Sequence, residues 1–96
     1  MLKEKVLNQL KKHQSAFKKF GVKSLYLFGS VAREEEKAES DIDILVSFEG
    51  PASFDQYMEL KFYLEDLFLR KVDLITEAGI RPEIKKYVQK ELIRAA

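Results

Sequence analysis

Two aspartates with strand spacing are the residues of this sequence that most clearly indicate chemistry. Asp41 and Asp43 open the apolar segment DIDILVSF, residues 41–48. Side chains two residues apart in a β-strand share a face, so the two carboxylates point the same way. Such a pair repels itself unless a cation lies between the carboxylates, and Mg²⁺ prefers oxygen ligands of this kind. The spacing therefore indicates a divalent cation site, although two solvated acids beside a turn would give the same pattern.

A third aspartate lies in another short apolar segment. Asp73 stands inside KVDLIT, residues 71–76, where a charge is costly without a partner. A sheet that placed this strand beside residues 41–48 would bring three carboxylates together. Three carboxylates suffice to hold two metal ions, the arrangement that stabilises the attacking and leaving oxygens in phosphoryl transfer.

A glycine and a serine follow the apolar segment 22–28 and open a helical turn that reaches Arg33. Gly29 lets backbone approach a ligand closely, and the amides at the start of a helical turn attract an anionic phosphate. The Ser30 hydroxyl adds a donor, and the Arg33 guanidinium, one turn later, can bind the same anion. Ser30 could also act only as a helix cap, and Arg33 could be the structural partner of an acidic neighbour. Together with the carboxylates, this segment predicts a site for a nucleoside triphosphate with Mg²⁺.

The elements that must position these residues follow from the hydrophobic periodicity. Apolar residues at spacings of three and four predict a first helix with the stripe Leu2, Val6, Leu10, His13, Phe17 and Phe20. A second long helix is predicted over residues 53–70, with the inner face Tyr57, Leu60, Leu64 and Leu67. Pro82 suits the first turn of a last helix, with the stripe Ile84, Val88 and Leu92. With strands over 22–28, 41–48 and 71–76, the order αβαβαβα predicts an α/β (α+β) fold in which helices pack on a small mixed sheet, as a single domain over residues 1–96.

Composition limits the classes of function. The chain has 96 residues, 17 Lys and Arg against 16 Asp and Glu, and no Cys. The near-neutral balance argues against direct nucleic-acid binding, and the missing Cys excludes disulfides and thiolate metal sites. Because no apolar run approaches the length of a membrane span and no signal-peptide pattern opens the chain, we expect a cytoplasmic protein without a membrane anchor.

The long helix predicted over residues 53–70 carries more apolar residues than one face can hold. Its segments FYL, 62–64, and LFL, 67–69, span angles too wide for a single small core, because successive helical residues turn by about 100°. Some apolar surface should therefore remain outside. The helix is either buried on two sides within the domain or forms a protein–protein interface, and the small core favours the interface.

Four segments together resemble the minimal nucleotidyltransferase (MNT) family of the polymerase-beta superfamily. They are LFGSVAR (27–33), SDIDILV (40–46), VDLI (72–75) and RPEI (81–84). Ten residues separate Ser30 from Asp41, which is the family's motif spacing, and the resemblance covers nearly the whole chain. The family often has glycine after the motif arginine, where this sequence has three glutamates, 34–36.

The resemblance implies a role for each matched position. The implied catalytic and metal-binding residues are Asp41, Asp43 and Asp73, and the implied nucleotide-binding residues are Gly29, Ser30 and Arg33. The first two aspartates would bind metals that bridge the triphosphate, and the third would bind the catalytic metal and help deprotonate the acceptor hydroxyl. The glycine and the serine would hold the β- and γ-phosphates, and the arginine would contact phosphate or brace the motif.

The resemblance also implies a reaction and a partner. It predicts a Mg²⁺-dependent nucleotidyltransferase, with up to two ions, that transfers AMP from ATP to a hydroxyl. Larger relatives add a second lobe, so we expect the acceptor surface to come from a partner or from another copy of this chain. Family members often act as the antitoxin of a small helical HEPN ribonuclease toxin. The alternative from another class is a non-catalytic module that neutralises such a partner by binding alone.

Overall fold

The architecture comes from a computed structural model, which describes residues 2–96 except for the side chains of Ile84, Tyr87 and Glu91. The sequence predicted Ile84 on the apolar stripe of the last helix, and that prediction lies outside the described residues. The helices are α1 (Leu2–Lys12), α2 (Gln14–Lys19), α3 (Gly29–Ala32), α4 (Phe54–Phe68) and α5 (Pro82–Glu91). The strands are β1 (Val22–Phe28), β2 (Ile42–Phe48), β3 (Val72–Thr76) and β4 (Ile93–Arg94). Within the described residues, no helix has the length and apolar character needed to cross a bilayer.

The four strands form one mixed sheet in the order β3-β2-β1-β4. β1 pairs antiparallel with β2 and with β4, whereas β2 and β3 run parallel. The parallel pair requires a crossover, and α4 supplies it between β2 and β3. The predicted mixed sheet with packed helices is confirmed.

Alternation along the strands divides the sheet into two unlike sides. The core face, which carries Ile42, Ile44, Val72 and Leu74, is packed with buried residues of α1, α2, α3 and α4 into one large apolar cluster. The acid face carries Asp43, Leu45, Asp73 and Ile75 on the same two strands. On this face Val88 of α5 packs in a much smaller cluster with Phe28 and Leu45.

The predicted first helix is two helices, so the prediction of one continuous helix is wrong. His13 separates α1 from α2 with φ −102° and ψ 18°, outside helical geometry. Its carbonyl still accepts hydrogen bonds from the amides of Ala16 and Phe17 at 3.0 and 3.2 Å, so the apolar spacing continues across the break. The His13 Nδ1 lies 2.8 Å from the Tyr63 hydroxyl, which anchors the junction on α4. A one-residue break with preserved periodicity leaves no signal in the sequence pattern.

Helix α4 begins and ends at clear local signals. The Ser53 hydroxyl accepts from the Gln56 amide and the Gln56 side chain accepts from the Ser53 amide, which forms a capping box. The helix ends at Leu69, which has a left-handed backbone with φ 52°. Within this helix Leu60 and Leu64 are fully buried, as predicted for its inner face.

The C-terminal strand β4 is missing from the predicted order αβαβαβα. Leu92, predicted on the stripe of the last helix, is the residue that ends α5, and Ile93 pairs with Leu27 of β1. The backbone then continues beside Leu25, which bonds to both Ala95 and Ala96. A strand of two residues is too short to show a two-residue period, and only its pairing with β1 defines it.

Candidate active site

Three adjacent strands bring the predicted site residues to one end of the sheet. Phe28, the last residue of β1, pairs with Asp43 of β2, and Asp43 pairs with Asp73 of β3. Gly29 follows Phe28 directly. The segment that was predicted to bind phosphate and two of the three aspartates therefore meet, although they are far apart in sequence.

Asp43 and Asp73 are neighbours in register. Paired residues of adjacent strands extend their side chains to the same face, and strands in a sheet lie roughly 4.8 Å apart. Asp43 is half-buried, whereas Asp73 is exposed. The expectation of a costly buried charge at Asp73 is therefore wrong, because β3 is an edge strand and the Asp73 side chain is exposed between the buried residues Val72 and Leu74.

Asp41 lies outside the strand ladder. The segment 41–48 was predicted as strand throughout, but β2 begins at Ile42, and Asp41 is an exposed residue just before it. The Ile42 amide donates to the Lys71 carbonyl at 3.1 Å, so the backbone is fixed directly after Asp41. Asp41 is thus beside the pair formed by the other two aspartates, on a segment that the ladder does not constrain.

Gly29 makes room for Asp43. It has φ +75°, and a Cβ built on it would lie 2.0 Å from Asp43 Oδ2 and 2.8 Å from Asp43 Cγ. Any side chain at this position would displace the carboxylate, and the left-handed backbone also disfavours residues other than glycine. From the sequence, this glycine was predicted to let a ligand approach the backbone closely. The structure shows that the Asp43 carboxylate also lies close to this backbone.

The turn after Gly29 places Ser30 on the short helix α3 and Arg33 at the residue that ends it. Ser30 is half-buried, and its carbonyl accepts from the Glu35 amide at 2.8 Å. The Arg33 Nε lies 3.5 Å from Glu35 Oε2, and both side chains are well exposed. An exposed pair of this kind stabilises the fold by about 0.2–1 kcal/mol.

Tyr57 of α4 reaches the edge strand next to Asp73. Its hydroxyl donates a hydrogen bond to the Leu74 carbonyl. Burial raises the pKa of the Tyr57 phenol above its usual range, and the negative charge of Asp73 raises this pKa further. Sequence periodicity placed Tyr57 on the inner face of its helix and gave no sign of a contact with the site.

The donor set fits Mg²⁺ as a pair rather than as a closed cage. Among the residues that the structure describes, no three acidic, His or Cys side chains are gathered closely enough to hold one metal ion. Mg²⁺ is commonly bound by one or two carboxylates together with waters and substrate phosphates. Asp43 and Asp73, side by side on an open strand end beside Gly29, match that requirement.

Two cavities lie away from the aspartates. One, of about 170 Å³, is enclosed between α5 and the acid face and is lined by residues such as Tyr26, Leu45, Ile80, Val88 and Leu92. The other, of about 520 Å³, is at the opposite ends of β2 and β3, where Ser47, Thr76 and Lys85 contribute to its walls. Neither cavity is lined by Asp41, Asp43 or Asp73.

The comparisons with known proteins identify the class of protein as a nucleotidyltransferase. The nucleotidyltransferase domain family matches residues 4–95, and the chain belongs to that family. It is 49% identical over 86 residues, 88% of each chain, to MJ1217 of Methanocaldococcus jannaschii, named as a candidate protein adenylyltransferase. It is 41% identical over 75 residues, 78% of this chain and 76% of the relative, to the protein adenylyltransferase MntA of Thermococcus cleftensis. The predicted family and enzyme class are confirmed.

Solved structures agree on the fold. A candidate minimal nucleotidyltransferase superposes with a TM-score of 0.84 and 33% identity, over 97% of this chain and 95% of that one. An MNT antitoxin structure, from the complex with the tri-AMPylated HEPN toxin of Shewanella oneidensis, matches with a TM-score of 0.62. The latter is 19% identical and covers 91% of this chain and 71% of that chain, so it supports the fold alone.

Proposed function

We propose that this protein is a Mg²⁺-dependent adenylyltransferase that transfers AMP from ATP to a hydroxyl of a partner protein in the cytoplasm. The observation that carries the proposal is the in-register pair of Asp43 and Asp73 next to Gly29. The pair supplies oxygen ligands for Mg²⁺ where a triphosphate can reach both the ion and the start of α3. The similarity to two protein adenylyltransferases supports AMP as the group transferred.

The chain's own residues take the following parts. Asp43 and Asp73 hold Mg²⁺, with Asp41 beside them, and the segment Gly29–Ser30 binds the β- and γ-phosphates. Mg²⁺ held there would supply positive charge against the phosphates and Lewis-acid polarisation of the α-phosphoryl group. The acceptor oxygen forms a bond to the α-phosphorus, the bond to the β-phosphate oxygen breaks, and pyrophosphate leaves. The acceptor hydroxyl approaches from the open side of Asp73, and the Asp73 carboxylate takes up its proton.

The partner we propose is a small helical protein of the HEPN type, with this chain as its antitoxin. The relevant surface is the outer face of α4, which we define by Phe54, Met58 and Phe62 together with Leu69, the residue that ends the helix. Phe54, Phe62 and Leu69 are 75%, 56% and 89% exposed, so the predicted apolar surface does remain outside the core. Exposed apolar surface of this kind is typical of protein–protein contacts. A similarly folded MNT antitoxin in complex with an AMPylated HEPN toxin supports this class of partner.

The same outer face of α4 favours a second candidate, a binding module that neutralises its partner without transfer. The two candidates separate in one experiment. Chain and HEPN-type partner are incubated with α-labelled ATP and Mg²⁺, and the double variant Asp41→Asn/Asp43→Asn is compared with the wild type. The adenylyltransferase predicts labelled partner with the wild type and none with the variant or with chelator. Full neutralisation of the partner by the double variant, with complex formation unchanged, would instead establish the binding module.

A further inference from the structure

Asp73 stands on a strand that has a neighbour on one side only. β3 is the edge of the sheet, beside β2. Lys71 bonds to β2 through its carbonyl, and backbone groups alternate in direction along a strand. The backbone groups of Val72 and Leu74 therefore face the open edge, where no strand holds them.

Helix α4 provides partners for this open edge on both sides of Asp73. Glu65 Oε2 accepts a hydrogen bond from the Val72 amide at 3.0 Å. The Tyr57 hydroxyl donates to the Leu74 carbonyl. Both side chains are half-buried and stand eight residues apart on one helix, so a single rigid element fixes the backbone before and after the aspartate.

We propose that Tyr57 and Glu65 are positioning residues that hold Asp73 opposite Asp43. The inference rests on the proposed function, because it gives Asp73 a part in holding Mg²⁺. Among the described hydrogen bonds, β3 has no other on its outer side at Val72 and Leu74, so the two α4 side chains limit how far the Asp73 carboxylate can move. Removing groups that support metal ligands costs roughly 10- to 100-fold in metal affinity or activity.

Tyr57→Phe tests the first of these bonds with the smallest possible change. The matched control is Tyr63→Phe, which removes a hydroxyl from the same helix but one that bonds to His13 at 2.8 Å, away from β3. We expect Tyr57→Phe to weaken Mg²⁺ binding about tenfold and to lower kcat by a similar factor. Mg²⁺ affinity is measured by calorimetry on protein saturated with a nonhydrolysable ATP analogue. Equal Mg²⁺ affinity in the two variants would overturn the proposal for Tyr57.

Glu65 is tested by a pair of substitutions. Glu65→Gln keeps an oxygen that can accept from the Val72 amide, whereas Glu65→Ala keeps none. We expect Glu65→Ala to speed hydrogen exchange at the Val72 amide and to weaken Mg²⁺ binding several-fold, and Glu65→Gln to restore both. Asp66→Ala, an exposed carboxylate next in sequence, should change neither. If Glu65→Ala speeds exchange at Val72 but leaves Mg²⁺ affinity unchanged, the bond between Glu65 and the Val72 amide is structural only, and the proposal that Glu65 positions Asp73 is overturned.

The two proposals can fail separately. If the wild type binds Mg²⁺ and nucleotide but transfers no AMP, the proposed adenylyltransferase activity is overturned. The comparison of Mg²⁺ affinities still decides whether Tyr57 and Glu65 position Asp73. Wild-type transfer with Tyr57→Phe and Glu65→Ala both at full Mg²⁺ affinity overturns only the positioning. Should Tyr57→Phe fail to fold, the Glu65 pair decides the question.

Discussion

The two faces of the sheet are built from the same strands but differ in composition: one is buried and apolar, and the other carries the aspartates. On β2 and β3 the core face carries Ile42, Ile44, Val72 and Leu74, all buried in the large cluster under α1 and α4. One residue along each strand, the acid face presents Asp43 and Asp73. Alternation thus places two carboxylates at rigid positions without exposing the core. Stability and chemistry should accordingly respond to different substitutions.

The largest expected effect is on the acid face. Asp43→Asn keeps the shape of the side chain but removes the charge that binds Mg²⁺, so we expect transfer of label from ATP to be abolished. The variant should remain folded, because Asp43 is held in the sheet by backbone pairing with β1 and β3. Asp66→Asn, on the surface of α4, is the control. Retained transfer in Asp43→Asn would contradict the metal assignment.

The next largest effect is on the core face, where a substitution should lower stability and leave transfer unchanged. Leu64 is fully buried, and Leu64→Ala should lower the free energy of unfolding by about 2–5 kcal/mol through lost transfer energy and a cavity. We expect kcat to be unchanged at a temperature where the variant is still folded. Denaturant unfolding and the transfer assay, run on the same samples, make the measurement. A large fall in kcat without unfolding would show that the two faces are not independent.

Gly29 lies against Asp43 on the acid face, and Gly50 offers a matched control. Both have left-handed backbones, with φ +75° and +84°, but a Cβ at Gly50 meets nothing within 4 Å. Gly50→Ala should therefore cost only the backbone strain, about 1–2 kcal/mol of stability. Gly29→Ala should cost that strain and also displace Asp43, with roughly a hundredfold loss of kcat. Equal kcat values for the two variants would show that the contact with Asp43 is irrelevant to transfer.

The smallest effect is at Ser30. Ser30→Ala removes one hydroxyl donor from the triphosphate site, so we expect roughly tenfold weaker binding of a nonhydrolysable ATP analogue in calorimetric titration. Thermal unfolding should change little. A variant with unchanged affinity and a lower melting temperature would reduce Ser30 to a structural residue of the turn.

Local signals explain most of what could be predicted. The predicted strands differ from the observed ones by at most one residue at a boundary, and the capping box at Ser53 marks the start of α4. The break at His13 and the strand after α5 were missed, because one depends on a contact with Tyr63 and the other on pairing with β1. Both are non-local interactions, which periodicity within one segment does not detect.

The candidate site likewise contains residues that the sequence predicted and residues that only the tertiary structure revealed. Motif spacing identified Gly29, Ser30 and the aspartates, but it treated Asp41 and Asp43 as equal members of one strand. The ladder includes only Asp43, since pairing with β3 begins at Ile42. The part of Tyr57 and Glu65 at the edge strand was invisible in the sequence, where both read as ordinary residues of an amphipathic helix.

The sequence by itself determined most of the helices and strands, the alternation of apolar and acidic residues, and the family, because these depend on the order and spacing of side chains along the chain. The tertiary structure alone decided which strands are neighbours. Only that choice puts Asp73 in register with Asp43, leaves β3 at the edge, and turns α4 toward its open side. Strand order is fixed by packing between residues distant in sequence, and no local pattern encodes it.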